Sequence, residues 1–202
     1  MKKYIPYGRQ DISSEDIKSV EDILKSDFLT QGQAVPEFEK ALNNLCKSKF
    51  STVMSSATAA LHIACKALEL GPGDIMWTSP ISFVASANCA LYCGAKVDFV
   101  DIDPLSNNMS IKALEEKLIH AESLNALPKV VIPVHLAGLS ADMAAISSLS
   151  KKYNFKIIED ASHAIGGTYN GEPIGNCIYS DICIFSFHPV KIIAAGEGGA
   201  LL

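Results

Sequence analysis

Val130-Val131-Ile132-Pro133-Val134 and Lys156-Ile157-Ile158-Glu159-Asp160 are two near-continuous apolar runs with a helical pattern near residues 142–152 between them. Such runs suit parallel strands covered on both faces, because a half-exposed strand alternates apolar and polar residues. Working outward, further β-type runs fall at 50–54, 75–78, 96–101 and 181–187, and the first of the two quoted runs extends over 129–134. Helical patterns lie near 57–69, 83–93 and 111–121. In the first of these, Leu61, Ala64, Cys65 and Leu68 carry the i, i+3, i+4, i+7 stripe of a helix packed on a sheet. This alternation predicts a doubly wound α/β sheet. Ahead of it, Ser13-Ser14-Glu15-Asp16 opens a helix with a hydroxyl cap and early carboxylates, followed by Ile17, Val20 and Leu24 at helical spacing. Another helix fits 36–46, with Phe38, Leu42 and Leu45 on one face.

Composition narrows the class. The chain has 202 residues, 49% of them apolar and 19% charged, with no low-complexity tract, so disorder and fibre are excluded. A length of this order buries roughly 70% of the unfolded surface without help from a disulfide or a metal. The formal charge is −5 and is spread without runs, which argues against nucleic-acid and membrane-surface partners. Met1-Lys2-Lys3-Tyr4-Ile5-Pro6 lacks the apolar stretch of a signal peptide, and no apolar run reaches the length of a membrane span. The expectation is a cytoplasmic protein. None of the six cysteines has C-x-x-C spacing, and Cys89 and Cys93 share one helix face; they read as small buried hydrophobes, with no metal site.

In open α/β sheets, ligands bind beyond the carboxyl ends of the strands, so those ends carry the chemistry. Ser55-Ser56-Ala57-Thr58 opens a helix and is either a phosphate cradle of backbone N–H groups or a plain N-cap. Asp160 closes a buried strand, where a carboxylate needs a cation or several donors. His163 follows it, with or without a role, and His135 stands at another strand end. Lys191 follows the apolar strand Ile182-Cys183-Ile184-Phe185 and precedes Ile192-Ile193. It is either a surface lysine or a desolvated amine fit for Schiff-base chemistry. Seven of the thirteen glycines lie between 166 and 199, where the backbone turns tightly or approaches a ligand. No dinucleotide, P-loop or hydrolase glycine motif occurs. A cradle, a carboxylate and a lysine on three strand ends match the needs of pyridoxal phosphate.

Phe185-Ser186-Phe187-His188-Pro189-Val190-Lys191 and Gly196-Glu197-Gly198-Gly199-Ala200 resemble the signature of the DegT/DnrJ/EryC1/StrS sugar aminotransferases. So do Leu29-Thr30-Gln31-Gly32, Ser56-Ala57-Thr58-Ala59-Ala60-Leu61, the segment from Pro80 to Asn88, and Val134-His135-Leu136-Ala137-Gly138. The resemblance runs in family order from about residue 4 to the last residue. Ser162-His163-Ala164-Ile165-Gly166 and the segment from Cys89 to Ala95 are most similar to the branch serving pseudaminic acid biosynthesis.

That resemblance implies a three-layer sandwich around a mostly parallel seven-stranded sheet, the large domain of pyridoxal-phosphate fold type I. It implies that Lys191 links covalently to the cofactor and later shuttles the proton between the donor's Cα and C4′. Asp160 would hold the pyridine nitrogen protonated, Phe83 would stack on the ring, and His163 would lie near the ring hydroxyl, where many relatives carry Gln. Ala57, Thr58 and Ser186 would hold the phosphate; Thr30, Gln31 and His188 would contact the sugar nucleotide. The substrates implied are a UDP-linked 4-keto-6-deoxy sugar and glutamate, within a homodimer. Sugar dehydratases of the family carry histidine in place of Lys191. Ala194-Ala195 departs from the family's threonines beside the lysine. The family runs roughly twice this length, so residues 1–202 are expected to be an N-terminal segment plus the large domain, with the seventh, antiparallel strand cut short and the small C-terminal domain absent. The rival expectation is a non-catalytic remnant that binds cofactor or a partner.

Overall fold

The computed structural model describes residues 4–6 and 8–202; Met1–Lys3 of the N-terminal stretch read above lie outside the described residues. Seven strands form the central sheet: β1 (Thr52–Met54), β2 (Ile75–Thr78), β3 (Lys96–Phe99), β4 (Val130–Ile132), β5 (Lys156–Asp160), β8 (Ile182–Ser186) and β9 (Gly199–Leu201). Their order is β1-β9-β8-β5-β4-β2-β3. The β2–β3, β2–β4, β4–β5 and β5–β8 pairs are parallel. Only β9 runs against its neighbours, pairing antiparallel with both β1 and β8. The expected architecture is the observed one, and the runs at 96–101 and 129–134 form shorter strands than their apolar lengths suggest. Beyond β4, a lone bridge from Val134 to Asp160 carries the ladder on.

Helices cover both faces. On one, α3 (Ala57–Ala67) and α4 (Ala85–Tyr92) pack their small residues Ala60, Ala64, Cys65, Cys89 and Ala90 on Ile132, Ile158 and Ile184. On the other, α5 (Ile111–Ser123) and α6 (Met143–Tyr153) bury Leu114, Leu118, Met143 and Ile146 around Trp77, Val131 and Ile157. Each such aliphatic side chain contributes about 1.5–3 kcal/mol when fully buried. The second face continues with α2 (Ala34–Cys46), whose Leu42 and Cys46 meet Phe185 and Phe187. Here the expected face is corrected: Leu45 is half exposed, because the helix docks along Phe38, Leu42 and Cys46, an i, i+4, i+8 row.

The first helix, α1 (Ser14–Leu24), is closed by a capping box in which Ser13 and Asp16 satisfy each other's backbone N–H groups. Its apolar stripe meets nothing: Ile17, Val20 and Leu24 are all exposed. A small hairpin that the strand pattern did not suggest, β6 (Thr168–Tyr169) and β7 (Glu172–Pro173), turns at Asn170-Gly171. Both turn residues have positive φ, 52° and 81°, as the tight hairpin turn demands. All six cysteines are free, and burial pushes the Cys46 thiol up to about 11 and Cys177 up to about 12, which keeps both protonated.

Candidate active site

A cavity of about 510 Å³ opens at the carboxyl ends of the strands, within the usual size range for a small-molecule site. Asp160, last residue of β5, is 4% exposed and lies in its wall. Its Oδ2 accepts from Ser86 Oγ at 2.6 Å, and its Oδ1 accepts from Ser162 Oγ at 2.6 Å and Ser162 N–H at 3.2 Å. Ser86 is held in turn by Ser82, Oγ to Oγ 2.7 Å. All these donors are neutral, so no cation is in direct contact with the Asp160 carboxylate among the described residues.

The start of α3 forms the second wall. Ser56 is the N-cap, its Oγ accepting from Ala59 N–H at 3.1 Å. The N-cap read from the sequence is therefore present. The cap satisfies Ala59, while the N–H groups of Ala57 and Thr58 have no partner among the described residues and sit at the positive end of the helix dipole. Strand β9 presses against this turn: a Cβ on Gly199 would run into the Ser56 carbonyl carbon and the Ala57 nitrogen. Only glycine lets the strand and the helix end approach this closely.

The third wall is the loop after β8. Ser186, 6% exposed, and Lys191 both line the cavity. Backbone bonds from Phe187 to Gly198, Ala195 to Phe187 and Lys191 to His188 tie the loop back on itself. Burial in the cavity wall holds the Lys191 ammonium below the usual lysine range, with the Asp160 charge pulling the other way. The reason differs from the one the sequence suggested. Ile192 and Ile193 are exposed, at 67% and 40%, so the cavity and not the flanking isoleucines desolvates the amine. His163 also lines the cavity; burial first, and the charge on Lys191 second, keep its imidazole below the ordinary value, and Asp160 opposes both.

The structure thus gathers Ala57, Thr58, Phe83, Asp160, His163, Ser186, His188 and Lys191 around one space. Phe83 stands at its mouth, 70% exposed, and His188 faces Glu197 across 3.7 Å. Thr30 and Gln31 are not brought in; they lie in the turn between α1 and α2, where Gln31 has φ 55°. Sequence reasoning missed Ser86 and Ser162 as the holders of Asp160. Ser162 stood two residues away, whereas Ser86 comes from a helix 74 positions earlier. It also missed that His135, wholly buried, donates from Nε2 to Glu159 at 2.8 Å while its Nδ1 accepts from Ala141 N–H. This set can bind an anionic phosphate at a helix end, face a protonated ring nitrogen with a carboxylate, and present a lysine whose proton is held less tightly than usual.

Among known proteins, the chain is 43% identical over 199 residues to the UDP-4-amino-4,6-dideoxy-N-acetyl-β-L-altrosamine transaminase of Campylobacter jejuni, covering 98% of this chain and 51% of that one. Its fold matches Helicobacter pylori PseC, an aminotransferase involved in pseudaminic acid biosynthesis, at TM-score 0.89 and 33% identity, over 98% of this chain and 52% of that one. It also matches Bacillus subtilis NtdA with bound cofactor PMP, at TM-score 0.79 and 31% identity, over 94% and 42%. The chain spans about half the length of the curated relatives it matches. A sheet with one antiparallel strand, a cavity at the strand ends and a family match over residues 10–202 place the chain in the DegT/DnrJ/EryC1/StrS aminotransferase family.

Proposed function

We propose that the whole protein is a pyridoxal-phosphate-dependent transaminase that aminates a nucleotide-linked 4-keto-6-deoxy sugar with glutamate as donor. In this reading residues 1–202 supply an N-terminal segment and the cofactor-binding large domain of a cytoplasmic homodimer. The observation that carries the reading is the convergence of Lys191, Asp160 and the unpartnered N–H groups of Ala57 and Thr58 on one cavity. The Campylobacter and Helicobacter relatives support the sugar: the product would be UDP-4-amino-4,6-dideoxy-N-acetyl-altrosamine, in pseudaminic acid biosynthesis.

The residues fit the cofactor. The close approach at Gly199 leaves the end of α3 bare of side chains from β9, so that a phosphate can reach the backbone N–H groups, with Ser186 lining the same cavity. Asp160 is fixed on three neutral donors and has acceptor capacity left for a pyridinium N–H. When bound, the cofactor supplies a carbonyl for amine capture and a ring that accepts electrons. Lys191, its ammonium held below the ordinary lysine range, would give up a proton more readily than an exposed lysine, and its Nζ would be the group that holds the cofactor and carries a proton. Phe83 covers one side of the entrance, and His188 with Glu197 lines the rim toward the sugar nucleotide.

Loading the purified chain with cofactor and reducing with borohydride should leave a secondary amine on Lys191 Nζ, found by peptide mass spectrometry. A folded chain without that adduct overturns the cofactor reading. A second reading, cofactor binding without turnover by these residues alone, is favoured by Thr30 and Gln31 not being among the residues that line the cavity. Steady amination of the UDP-4-keto sugar by residues 1–202 would exclude it; activity confined to the longer protein would support it.

A further inference from the structure

Between β4 and α6 the chain makes a single 3₁₀ turn, Leu136–Gly138, and Ala137 within it adopts φ 53°, ψ 23°. A residue with a side chain seldom enters this left-handed region unless its surroundings hold it there. Two buried side chains do the holding. Asn108, 3% exposed, accepts Leu136 N–H on Oδ1 at 3.0 Å and donates Nδ2–H to the Leu139 carbonyl at 2.9 Å, gripping the turn at both ends. His135 braces the segment that follows through Ala141 N–H at 3.1 Å, and is itself anchored on Glu159.

The gripped turn points Ala137 N–H at Nδ1 of His163, 3.3 Å away. Gly138 is packed so tightly beneath that a Cβ there would stand 3.0 Å from the His163 carbonyl oxygen. An imidazole nitrogen that accepts a hydrogen bond carries no proton, so the ring proton belongs on Nε2. With Nδ1 occupied, Nε2 is the nitrogen left to serve the cavity that His163 lines.

We propose that His163 is locked as a neutral N–H donor to the cavity, and that Asn108 is the positioning residue that sets the lock through the Leu136–Leu139 turn. The ligand chemistry this suits is an anionic oxygen, and the consequence for cofactor binding rests on the function proposed above; the lock itself does not. Asn108 touches neither the cavity nor the reacting atoms. It acts by keeping Ala137 N–H in place, so that the ring cannot take a second proton on Nδ1 without losing that bond. The charged groups that act on His163 are Lys191, from the loop after β8, and Asp160, at the end of β5.

The test is nitrogen-resolved NMR of His163 together with amide exchange at Ala137, on the chain without cofactor. Expected are an Nε2–H ring, an Nδ1 shift of a hydrogen-bond acceptor, and an Ala137 amide signal that titrates with the ring. An Nδ1–H ring, or an Ala137 amide indifferent to the titration, overturns the lock. In Asn108→Ala the Ala137 amide should exchange about 10-fold faster, the factor of one hydrogen bond, and the linkage to the ring should fade. Asn108→Asp, which keeps the acceptor for Leu136 N–H, should restore part of both, and it carries the test if Asn108→Ala does not fold. Unchanged Ala137 exchange in a folded variant removes Asn108 from the role. For the consequence, His163→Gln keeps a neutral donor and should hold cofactor within about 3-fold of wild type, whereas His163→Ala should lose about 10-fold; equal losses overturn the donor role. Absence of the Lys191 adduct with the Ala137–His163 linkage intact would sink the function and leave the lock standing.

Discussion

Glu159 and Asp160 are consecutive carboxylates at the end of β5, both all but buried, and strand geometry sends them to opposite faces of the sheet. On the back face Glu159 is completed from within: His135 donates to Oε2 and Ser180 to Oε1. On the front face Asp160 meets only hydroxyls and one backbone N–H, and it borders a cavity that also holds Lys191. Burial alone therefore does not distinguish the two acids. What separates the two is their surroundings: Asp160 borders the cavity, where its charge acts on Lys191 and His163, while Glu159 is closed off behind the sheet by His135 and Ser180.

That contrast can be attacked from both sides. The largest effect is expected on the front face, where Lys191→Ala should abolish both the visible cofactor band and the borohydride adduct; a surviving adduct elsewhere would move the reactive amine away from this cavity. Asp160→Asn should follow, keeping the fold but lowering transamination in the whole protein by about 10²–10³-fold, the scale of one preorganised electrostatic contact. The back face should answer in a different currency. His135→Ala is expected to cost about 1–3 kcal/mol of stability, the range for leaving a buried acceptor without its donor, while residual folded protein still forms the Lys191 adduct. If Asp160→Asn proved the more destabilising and His135→Ala the more damaging to cofactor capture, the division between the faces would be wrong.

Smaller effects sharpen the contrast. Ser86→Ala removes one donor from Asp160 and should cost about 1–3 kcal/mol, shared between unfolding free energy and cofactor affinity. The pH dependence of His163 has a definite sign. Its folded-state value lies below the ordinary 6.5, so between the two values the unfolded chain binds the extra proton and stability falls as pH drops through that window. His163→Gln should flatten this slope, as read from denaturant midpoints across the window. The least effect belongs to Ser13→Ala, about 1 kcal/mol within α1, detected as faster amide exchange there with an unchanged global midpoint, because α1 buries no side chain.

Legibility in the sequence followed the same boundary between local and remote causes. The strand 156–160 and the helix stripe of Leu61, Ala64 and Cys65 were readable because periodicity and β-branching act within a few residues. The placing of Lys191 and Asp160 at the cavity was readable because such a sheet opens its clefts at the strand ends. Ser86 was not, since nothing in Ala85-Ser86-Ala87-Asn88 reveals a partner on another strand. Leu45 and the stripe of Ile17, Val20 and Leu24 were read as helix faces and prove exposed, because apolar spacing announces a face and not what covers it. The Asn170-Gly171 hairpin was within reach, as that dipeptide is a strong turn signal, but two-residue strands leave no period to detect. The Asn108 grip joins positions 28 and 31 apart, beyond any local pattern.

The single antiparallel strand also sets a timetable for a chain emerging from the ribosome. Strand β1 has only β9 beside it, and Met54 waits for Gly199, about 145 residues later, to be joined to the sheet. At about 5–20 residues per second that is a delay of roughly 7–30 s. Through that interval the helix end carrying Ala57 and Thr58 has no strand pressed against it, and the two halves of the site are registered only when Gly199 arrives. A glycine that admits no side chain is thus also the latch by which two strands far apart in the chain, β1 and β9, are brought into one sheet.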